Sequence, residues 1–137
     1  MFRIMALDYG LVRIGIAMSD LTQTIANGLE TYQRTSLQKD LSHLDQLIKE
    51  NNVGKIIMGL PLNMDGSESS QTLKTKEFAE LLKEKFAIDV ELLDERLTSM
   101  LAEKVLISAD VSRQKRKNVI DKMSATIILQ DYLDRQN

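Results

Sequence analysis

Three short apolar stretches follow one another in the first 31 residues, and apolar residues take on helical spacing only after them. The first stretch, FRIMAL at residues 2–7, ends at Asp8, and the second, VRIGIAM, spans residues 12–18. Both are too short for a typical helix, and the few residues between them, with Gly10 inside, predict an antiparallel hairpin. Residues 24–31 predict a weaker third strand, so the chain opens with an antiparallel meander.

The rest of the chain predicts helices separated by strands. Apolar residues at helical spacing follow Ser36, a residue type that caps helix starts. The predicted elements are a helix over 37–48, a strand over 55–58, a helix over 67–85 and a strand over 88–93. Two further helices are predicted near 97–108 and 118–134, and the polar basic segment SRQKRKN separates them. The order βββαβαβαα predicts an α/β fold, with one domain over residues 1–137, a mixed sheet and helices on both faces.

Composition restricts the classes of function. The 137 residues contain no Cys, which excludes zinc–thiolate sites and thiol catalysis, and a single His, which cannot form a multi-histidine metal site. No apolar run approaches the ~18 residues that span a bilayer, and the N-terminal segment does not resemble a signal peptide. We therefore expect a cytoplasmic protein with no membrane partner. The net charge of −2 requires that any nucleic acid be bound by a local basic patch.

Carboxylates follow two of the predicted strands and recur in the last helix. Asp8 ends the first strand, Asp94 and Glu95 follow the fifth, and Asp121 lies in the last helix. Ligand sites of open α/β sheets lie beyond the carboxyl ends of strands, so these groups can meet at one edge. Each also has an ordinary interpretation as a turn, strand-end or first-turn acidic residue. Together they favour a divalent-cation site that supports phosphodiester hydrolysis, and oxygen-only ligands select Mg²⁺ or Mn²⁺.

Four segments of the chain resemble the YqgF family of RuvC-like nucleases, which have the RNase H fold. The segments are LDYGLVRIGIAMSD (7–20), IIMGLPLNMDGS (56–67), LLDERLTS (92–99) and SRQKRKNVIDKMSATIIL (112–129). Their order and spacing match as a set over nearly the whole chain, which makes the resemblance specific. It implies an RNase H-like core whose five-stranded mixed sheet begins with three antiparallel strands. It also implies a nuclease that matures the 5′ end of the precursor of 16S rRNA.

The resemblance assigns roles to individual carboxylates. Asp8 corresponds to the catalytic Asp of the family's first strand, Glu95 to its second acidic residue and Asp121 to its third. The resemblance thus implies that these three residues are both catalytic and metal-binding. Asp94 corresponds less closely to a ligand position.

The chain departs from the family in its first motif, which usually reads Asp-x-Gly-Thr-Lys-Arg-Ile-Gly. Leu11 and Val12 occupy the Thr and Lys positions, whereas Arg13 is retained. The hydroxyl and ammonium groups of the usual motif could contact a phosphate or orient the neighbouring Asp. We therefore expect the departure to affect the rate or the binding of substrate, and not to abolish the carboxylate site.

A basic segment precedes Asp121 in the sequence. Four positive charges fall within five residues: Arg113, Lys115, Arg116 and Lys117. A charge run of this kind is often only a solvated loop or helix start. Beside a carboxylate–metal centre it would instead hold the phosphates of a polyanion. We predict that these four residues, together with Arg13, bind nucleic acid.

Other polar and aromatic residues have two interpretations each. Tyr9 could contact a base or a sugar, or pack within the hairpin. Asn63, Asp65 and Ser67 could reach substrate from the same edge, whereas Asp65 or Ser67 could instead cap the following helix. His43 is interpreted as a surface or boundary residue and not as a general base.

The residues and the resemblance together favour a Mg²⁺- or Mn²⁺-dependent nuclease that acts on precursor rRNA, with ribosomal particles as further partners. A resolvase of four-way DNA junctions would use the same chemistry but needs two coordinated cuts, and it therefore predicts a symmetric dimer. A non-catalytic nucleic-acid-binding factor would keep its binding when the acidic residues are lost. Actin-like kinases also begin with Asp-x-Gly, but they close two domains around a nucleotide, and one domain is too little for that.

Overall fold

The computed structural model describes residues 1–94 and 113–136, with the backbone alone in residues 113–122. In chain order the elements are β1 (Arg3–Tyr9), β2 (Arg13–Ser19), β3 (Ala26–Gln33), α1 (Leu37–Glu50), β4 (Val53–Leu60), α2 (Ser70–Phe86), β5 (Asp89–Asp94) and α3 (Arg113–Gln136). The predicted helix over 97–108 lies outside the described residues. Of the helices that are described, none is long and apolar enough to cross a membrane.

The strands form a five-stranded mixed sheet in the order β3-β2-β1-β4-β5. β2 runs antiparallel to both β1 and β3, which are its neighbours in the chain. β1, β4 and β5 are parallel, and α1 and α2 provide the crossover connections that parallel strands need. The predicted sheet with an antiparallel opening is therefore confirmed. The carboxyl ends of β1, β4 and β5 meet at one edge, which we call the carboxyl edge.

Alternation along β1 divides the core into two layers. Met5 and Leu7 are buried with residues of α1 and α2, whereas Ile4 and Ala6 are buried with residues of α3. We call the two sides of the sheet the α1–α2 face and the α3 face. A central strand with helices on both sides must be apolar on both sides, which explains the unbroken apolar run that opens the sequence. Helices on both faces were predicted, and this is confirmed.

The helix starts depend on serine caps. Ser36 caps α1 as predicted, because its side chain accepts a hydrogen bond from the amide of Lys39 at 3.2 Å. α2 begins three residues later than the predicted start at residue 67. Its cap is Ser69, which forms a reciprocal capping box with Thr72. The prediction that Asp65 or Ser67 caps this helix is therefore wrong.

The last helix begins earlier than its apolar pattern predicts. The sequence predicts a polar break over 112–118, but α3 already begins at Arg113 and continues to Gln136. Arg, Lys and Gln are good helix formers, because their straight side chains lose little rotamer freedom in a helix. The basic segment is therefore the first part of α3, on the same element as Asp121.

Candidate active site

Asp8 lies near the end of β1, at the carboxyl edge of the sheet. It pairs with Gly15 of β2 and is half-buried. Successive side chains of a strand point to opposite faces, so Asp8 shares the α3 face with Ile4 and Ala6. Gly15 carries no side chain that could cover Asp8 from the neighbouring strand. The first predicted carboxylate is thus presented at the open end of the layer between the sheet and α3.

The C-terminal part of α3 lies over the opposite, amino edge of the sheet. Tyr132 accepts a hydrogen bond from Lys55 Nζ at 2.6 Å, and Lys55 is paired with Ile4 at the start of β1. Gln130 binds the start of β3, accepting from the amide of Ala26 at 2.9 Å. Because its last turns lie over the amino edge, α3 runs antiparallel to β1, and its earlier turns approach the carboxyl edge.

The backbone of α3 carries position 121 to the level of Asp8. Asp121 precedes Ala125 and Ile128, both buried against the sheet, by four and seven residues, which is the spacing of one helix face. From Tyr132 back to position 121 the helix covers about 16 Å, and β1 covers about 13 Å from its second residue to Asp8. The side chain of Asp121 lies outside the described part of the structure.

β5 ends beside β4 at the same edge. Asp94 pairs with Leu60, and β1, β4 and β5 are parallel, so Asp8 and Asp94 lie at the same edge, as expected. Leu93 packs in the α3 layer, so alternation places the exposed Asp94 on the α1–α2 face, away from Asp8. Glu95 lies outside the described residues. Within the described side chains, no three acidic or histidine residues form a cluster.

The turn between β1 and β2 follows Asp8 directly. The amide of Gly10 donates to the carbonyl of Arg13 at 2.9 Å, which closes the turn. Arg34, the residue that follows β3, binds this turn: its Nη1 donates to Gly10 O at 3.0 Å and its own amide donates to Val12 O at 2.9 Å. Leu11 and Val12 are 60% and 61% exposed at the tip. The departure from the family motif thus places two exposed apolar side chains in the turn that follows Asp8.

Gly10 cannot carry a side chain without a change in this turn, which leads to a prediction. A Cβ there would lie 2.7 Å from the backbone oxygen of Arg13. We expect Gly10→Ala to lower the free energy of unfolding by about 1–3 kcal/mol, the usual cost of overpacking. Urea denaturation measures it. The control is Gly54→Ala, whose Cβ would clash with the Phe2 side chain, most closely with its Cγ; Phe2 is 40% exposed, so it can move into solvent, whereas the backbone of Arg13 cannot. An equal loss in both variants would contradict the prediction.

Tyr9 is a packed residue of the hairpin. Its ring stacks on Phe78 of α2 with 4.2 Å between centroids, and the Arg34 guanidinium lies 4.7 Å from its centroid. These two contacts confirm the interpretation of Tyr9 as a packed residue of the hairpin.

The remaining polar residues singled out in the sequence have structural partners. Asp65 Oδ1 accepts hydrogen bonds from the amide of Ser67 at 2.9 Å and from its hydroxyl at 2.6 Å, and Asn63 donates to Ser67 Oγ at 2.9 Å. These three residues therefore shape their own loop. His43 is partly exposed, contacts Glu30 and stacks on Tyr32, which confirms it as a boundary residue.

The predicted cations fall mostly outside the described side chains. Arg13 begins β2, directly after the turn, and is half-buried. The side chains of the four basic positions at the start of α3 are not among those described: Arg113, Lys115, Arg116 and Lys117. Their backbone positions place them eight to four residues before Asp121 on the same helix.

Sequence analysis missed a buried ion pair beside the turn. Asp40 is 1% exposed and binds Arg34 with 2.9 Å between Oδ2 and Nε. Burial alone raises the pKa of Asp40, but the hydrogen bonds from Arg34, the Thr35 amide and Tyr32 outweigh it and hold that pKa below its usual range. One sequence signal was available, because Asp40 is an acidic residue next to the apolar stripe of α1.

Comparison with solved structures identifies the fold as RNase H-like, of the RuvC type. RuvC of Thermus thermophilus, solved with a Holliday junction substrate, matches with a TM-score of 0.60 over 99% of this chain and 96% of that chain, at 12% identity. The resolvase of fowlpox virus, solved with Holliday junction DNA, matches with a TM-score of 0.58 over 98% and 99%, at 10% identity. The predicted RNase H-like fold class is confirmed.

Comparison of sequences identifies the family. The family model described as "RuvX: Holliday junction resolvase" matches residues 2–135. A protein of Thermoanaerobacter pseudethanolicus is 54% identical over 135 residues, 98% of this chain and 97% of the relative. One of Clostridioides difficile is 52% identical over 132 residues, 96% and 94% of the two chains. Both relatives are named "Putative pre-16S rRNA nuclease". The chain belongs to the RuvX family, also called YqgF, which confirms the resemblance found in the sequence.

Proposed function

We propose that this protein is a divalent-metal-dependent nuclease that hydrolyses phosphodiester bonds in the precursor of 16S rRNA, acting as a single domain in the cytoplasm. Asp8, Glu95 and Asp121 are its catalytic and metal-binding residues. The observation that carries the proposal is the course of α3, which packs on the Asp8 face of the sheet and runs antiparallel to β1, so that its early turns, with position 121, lead toward the carboxyl edge.

The alternation of β5 argues against Asp94 as a ligand. Leu93 packs in the α3 layer, so Asp94 lies on the other face of the sheet, away from Asp8. Of the two adjacent acidic residues, Glu95 is therefore the proposed ligand, as the family resemblance implies, and Asp94 is not.

The residues fit a hard divalent cation. Asp8 offers carboxylate oxygens at a half-buried position of the carboxyl edge, and the other two proposed ligands are carboxylates as well. Oxygen donors of this kind suit Mg²⁺ or Mn²⁺. When bound, such ions supply an activated water and stabilise negative charge on the leaving oxygen.

The chain's own residues provide the remaining functions. The three carboxylates repel one another and so keep the site selective for a cation. Arg13 begins the strand that follows the turn, beside Asp8, where a guanidinium can hold a substrate phosphate. The basic residues at the start of α3 bind the polynucleotide backbone through its phosphates, and such contacts carry no sequence information. Recognition of the precursor then depends on RNA structure or on the ribosomal particle.

A cleavage assay with two substrates tests the proposal. Precursor RNA that spans the 5′ end of 16S rRNA and a four-way DNA junction are offered in parallel, with Mg²⁺, Mn²⁺ or chelator. We expect metal-dependent cleavage of the RNA. The RuvC-type fold makes junction resolution the second candidate, and cleavage of the junction alone, by a dimeric protein, would establish it instead. Binding of RNA with no cleavage under any of these conditions would indicate a binding factor.

The basic start of α3 predicts a change in the salt dependence of binding. We expect the combined variant Lys115→Gln, Arg116→Gln and Lys117→Gln to bind single-stranded RNA more weakly. The slope of log K against log salt concentration should become shallower by about 2, because about 0.7 is lost for each phosphate contact. Fluorescence anisotropy at several salt concentrations measures this slope.

The control variant removes the same charge at the opposite edge of the sheet. It neutralises the lysines in the last turns of α1 and α2: Lys49, Lys83 and Lys85. Its salt slope should stay close to that of the wild-type protein. An equal flattening in both variants would show that binding reflects total charge and not the start of α3.

A further inference from the structure

The Arg34 side chain is fixed in position by a buried carboxylate. Asp40 lies in the first turn of α1 and is 1% exposed. Its Oδ2 accepts from Arg34 Nε at 2.9 Å, and its Oδ1 accepts from the Tyr32 hydroxyl at 3.0 Å and from the amide of Thr35 at 3.1 Å. With both of its oxygens engaged, Asp40 holds the planar guanidinium in one orientation.

In that orientation Arg34 binds the turn after Asp8 at two points. Its Nη1 donates to the carbonyl of Gly10 at 3.0 Å, and its backbone amide donates to the carbonyl of Val12 at 2.9 Å. The guanidinium also covers the ring of Tyr9 at 4.7 Å. The two residues that flank Leu11, Gly10 and Val12, are thus both bound by Arg34.

The other side of the turn is bound independently by α2. Gln71 Nε2 donates to the carbonyl of Tyr9 at 3.1 Å, and Phe78 stacks on the Tyr9 ring. All of these contacts are made from the α1–α2 face or by Arg34, which follows β3. Asp8 points to the α3 face, so Arg34 acts from the side of the sheet away from the proposed metal site.

We propose that Arg34, oriented by Asp40, is a positioning residue for cleavage: it fixes the turn between β1 and β2 and thereby sets the positions of Asp8 and Arg13. This inference rests on the proposed function, because it assigns Asp8 to the metal and Arg13 to the phosphate. In this proposal Arg34 itself contacts neither the metal nor the phosphate. A guanidinium is required, because Asp40 and Gly10 O are bound by two different nitrogens of one planar group, which a lysine ammonium cannot reproduce.

The experiment compares Arg34→Lys with Tyr32→Phe. Arg34→Lys keeps the positive charge beside Asp40 but loses the pair of nitrogens that bind Asp40 and Gly10 O at the same time. Tyr32→Phe removes one hydrogen bond from the same buried carboxylate and leaves the contacts of Arg34 with the turn intact, so it is the matched control for stability. Mn²⁺ affinity, measured by water-proton relaxation without substrate, and exchange of the Gly10 amide with solvent are read in both variants.

We expect Arg34→Lys to weaken Mn²⁺ binding by about 10–100-fold, the usual effect of losing a residue that orients a ligand. The Gly10 amide should exchange faster, and kcat should fall by a similar factor with little change in the KM for RNA. Tyr32→Phe should leave all three values near those of the wild-type protein.

The outcomes separate this inference from the proposed function. If the wild-type protein binds no Mn²⁺, the proposed function is overturned, and this inference with it. If it binds Mn²⁺ and the two variants weaken binding equally, only the positioning role of Arg34 is overturned. Weakened binding in Arg34→Lys without faster exchange of the Gly10 amide would also overturn it, because the effect would not pass through the turn.

Discussion

Replacement of Asp8 by Asn is expected to lower the cleavage rate of precursor RNA by about 10²–10³-fold, the range found when one preorganised electrostatic group is removed from an active site. Asn has the shape of Asp and lacks its charge, so it no longer attracts a divalent cation. Binding of RNA should stay within a factor of two or three of the wild-type value (roughly the scatter of such measurements), because the phosphates are held by basic residues. Single-turnover cleavage and anisotropy measure the two properties on the same preparation.

Asp94→Asn is the matched control for this prediction. Asp94 has the same side chain and ends a parallel strand at the same edge of the sheet, but it lies on the α1–α2 face. Its replacement should leave the cleavage rate nearly unchanged. Equal losses in the two variants would mean that the edge as a whole needs negative charge. A fully active Asp8→Asn protein would contradict the assignment of the active site.

Replacement of Asp40 by Ala is expected to give the largest loss of stability, about 3–5 kcal/mol, as is usual when one partner of a buried ion pair is removed. Arg34 would be left without its counter-ion, and the Tyr32 hydroxyl and the Thr35 amide would lose their acceptor. Typical domains have about 5–15 kcal/mol of stability, so the variant can still fold. Urea denaturation at neutral pH measures the difference.

The stability contributed by Asp40 should depend on pH in a defined direction. Its pKa is lower in the folded protein than its usual value, so the folded state favours the ionised carboxylate. The contribution is complete above the unfolded pKa of about 3.9 and is lost as the pH falls through the folded pKa. The difference in unfolding free energy between wild type and Asp40→Ala should therefore be constant from neutral pH to about pH 5 and shrink in more acidic solution.

An exposed ion pair serves as the control for Asp40. Asp45 pairs with Lys49 one turn along α1 at 3.0 Å, and the two side chains are 37% and 75% exposed, respectively, whereas Asp40 is buried. Asp45→Ala should change stability by less than about 1 kcal/mol, because exposed pairs contribute little. If the Asp40 variant were no less stable than the Asp45 variant, the buried network would not hold the turn as described.

Much of the fold could be predicted, because short apolar runs indicate the strands and apolar residues at helical spacing indicate the helices. The unbroken apolar run of β1 predicts a strand buried on both faces, and the helical spacing after Ser36 predicts α1. Element ends were less predictable. β4 runs from Val53 to Leu60, beyond the predicted strand over 55–58, because backbone pairing continues past the glycines that interrupt the apolar run: Val53 pairs with β1, and Gly59 and Leu60 pair with β5.

Charged residues were harder to interpret than apolar ones. The basic segment before Asp121 was predicted as a break, since charge runs are common in loops, yet its residue types also favour a helix. Asp40 and Arg34 could not be recognised as a pair, because they meet only through the conformation of the chain between the end of β3 and the first turn of α1. The role of Tyr9 was likewise open until Phe78, far away in the sequence, was seen to cover its ring.

The candidate site was predictable in part for a physical reason. Parallel strands bring their carboxyl ends together, so Asp8 and the end of β5 could be placed at one edge from the order of elements alone. The choice of Glu95 over Asp94 needed either the family resemblance or the observed alternation of Leu92 and Leu93 between the two layers. The direction of α3, whose early turns lead toward the carboxyl edge, followed only from the contacts of Tyr132 and Gln130.

The most direct test of the central claim is a crystal structure of the protein soaked in Mn²⁺, with the metal located by its anomalous scattering. The account predicts an anomalous peak bound by the carboxylates of Asp8, Glu95 and Asp121, and no such peak in the Asp8→Asn protein. A Mn²⁺ peak elsewhere on the molecule, with none at Asp8 at a Mn²⁺ concentration that supports cleavage, would contradict it.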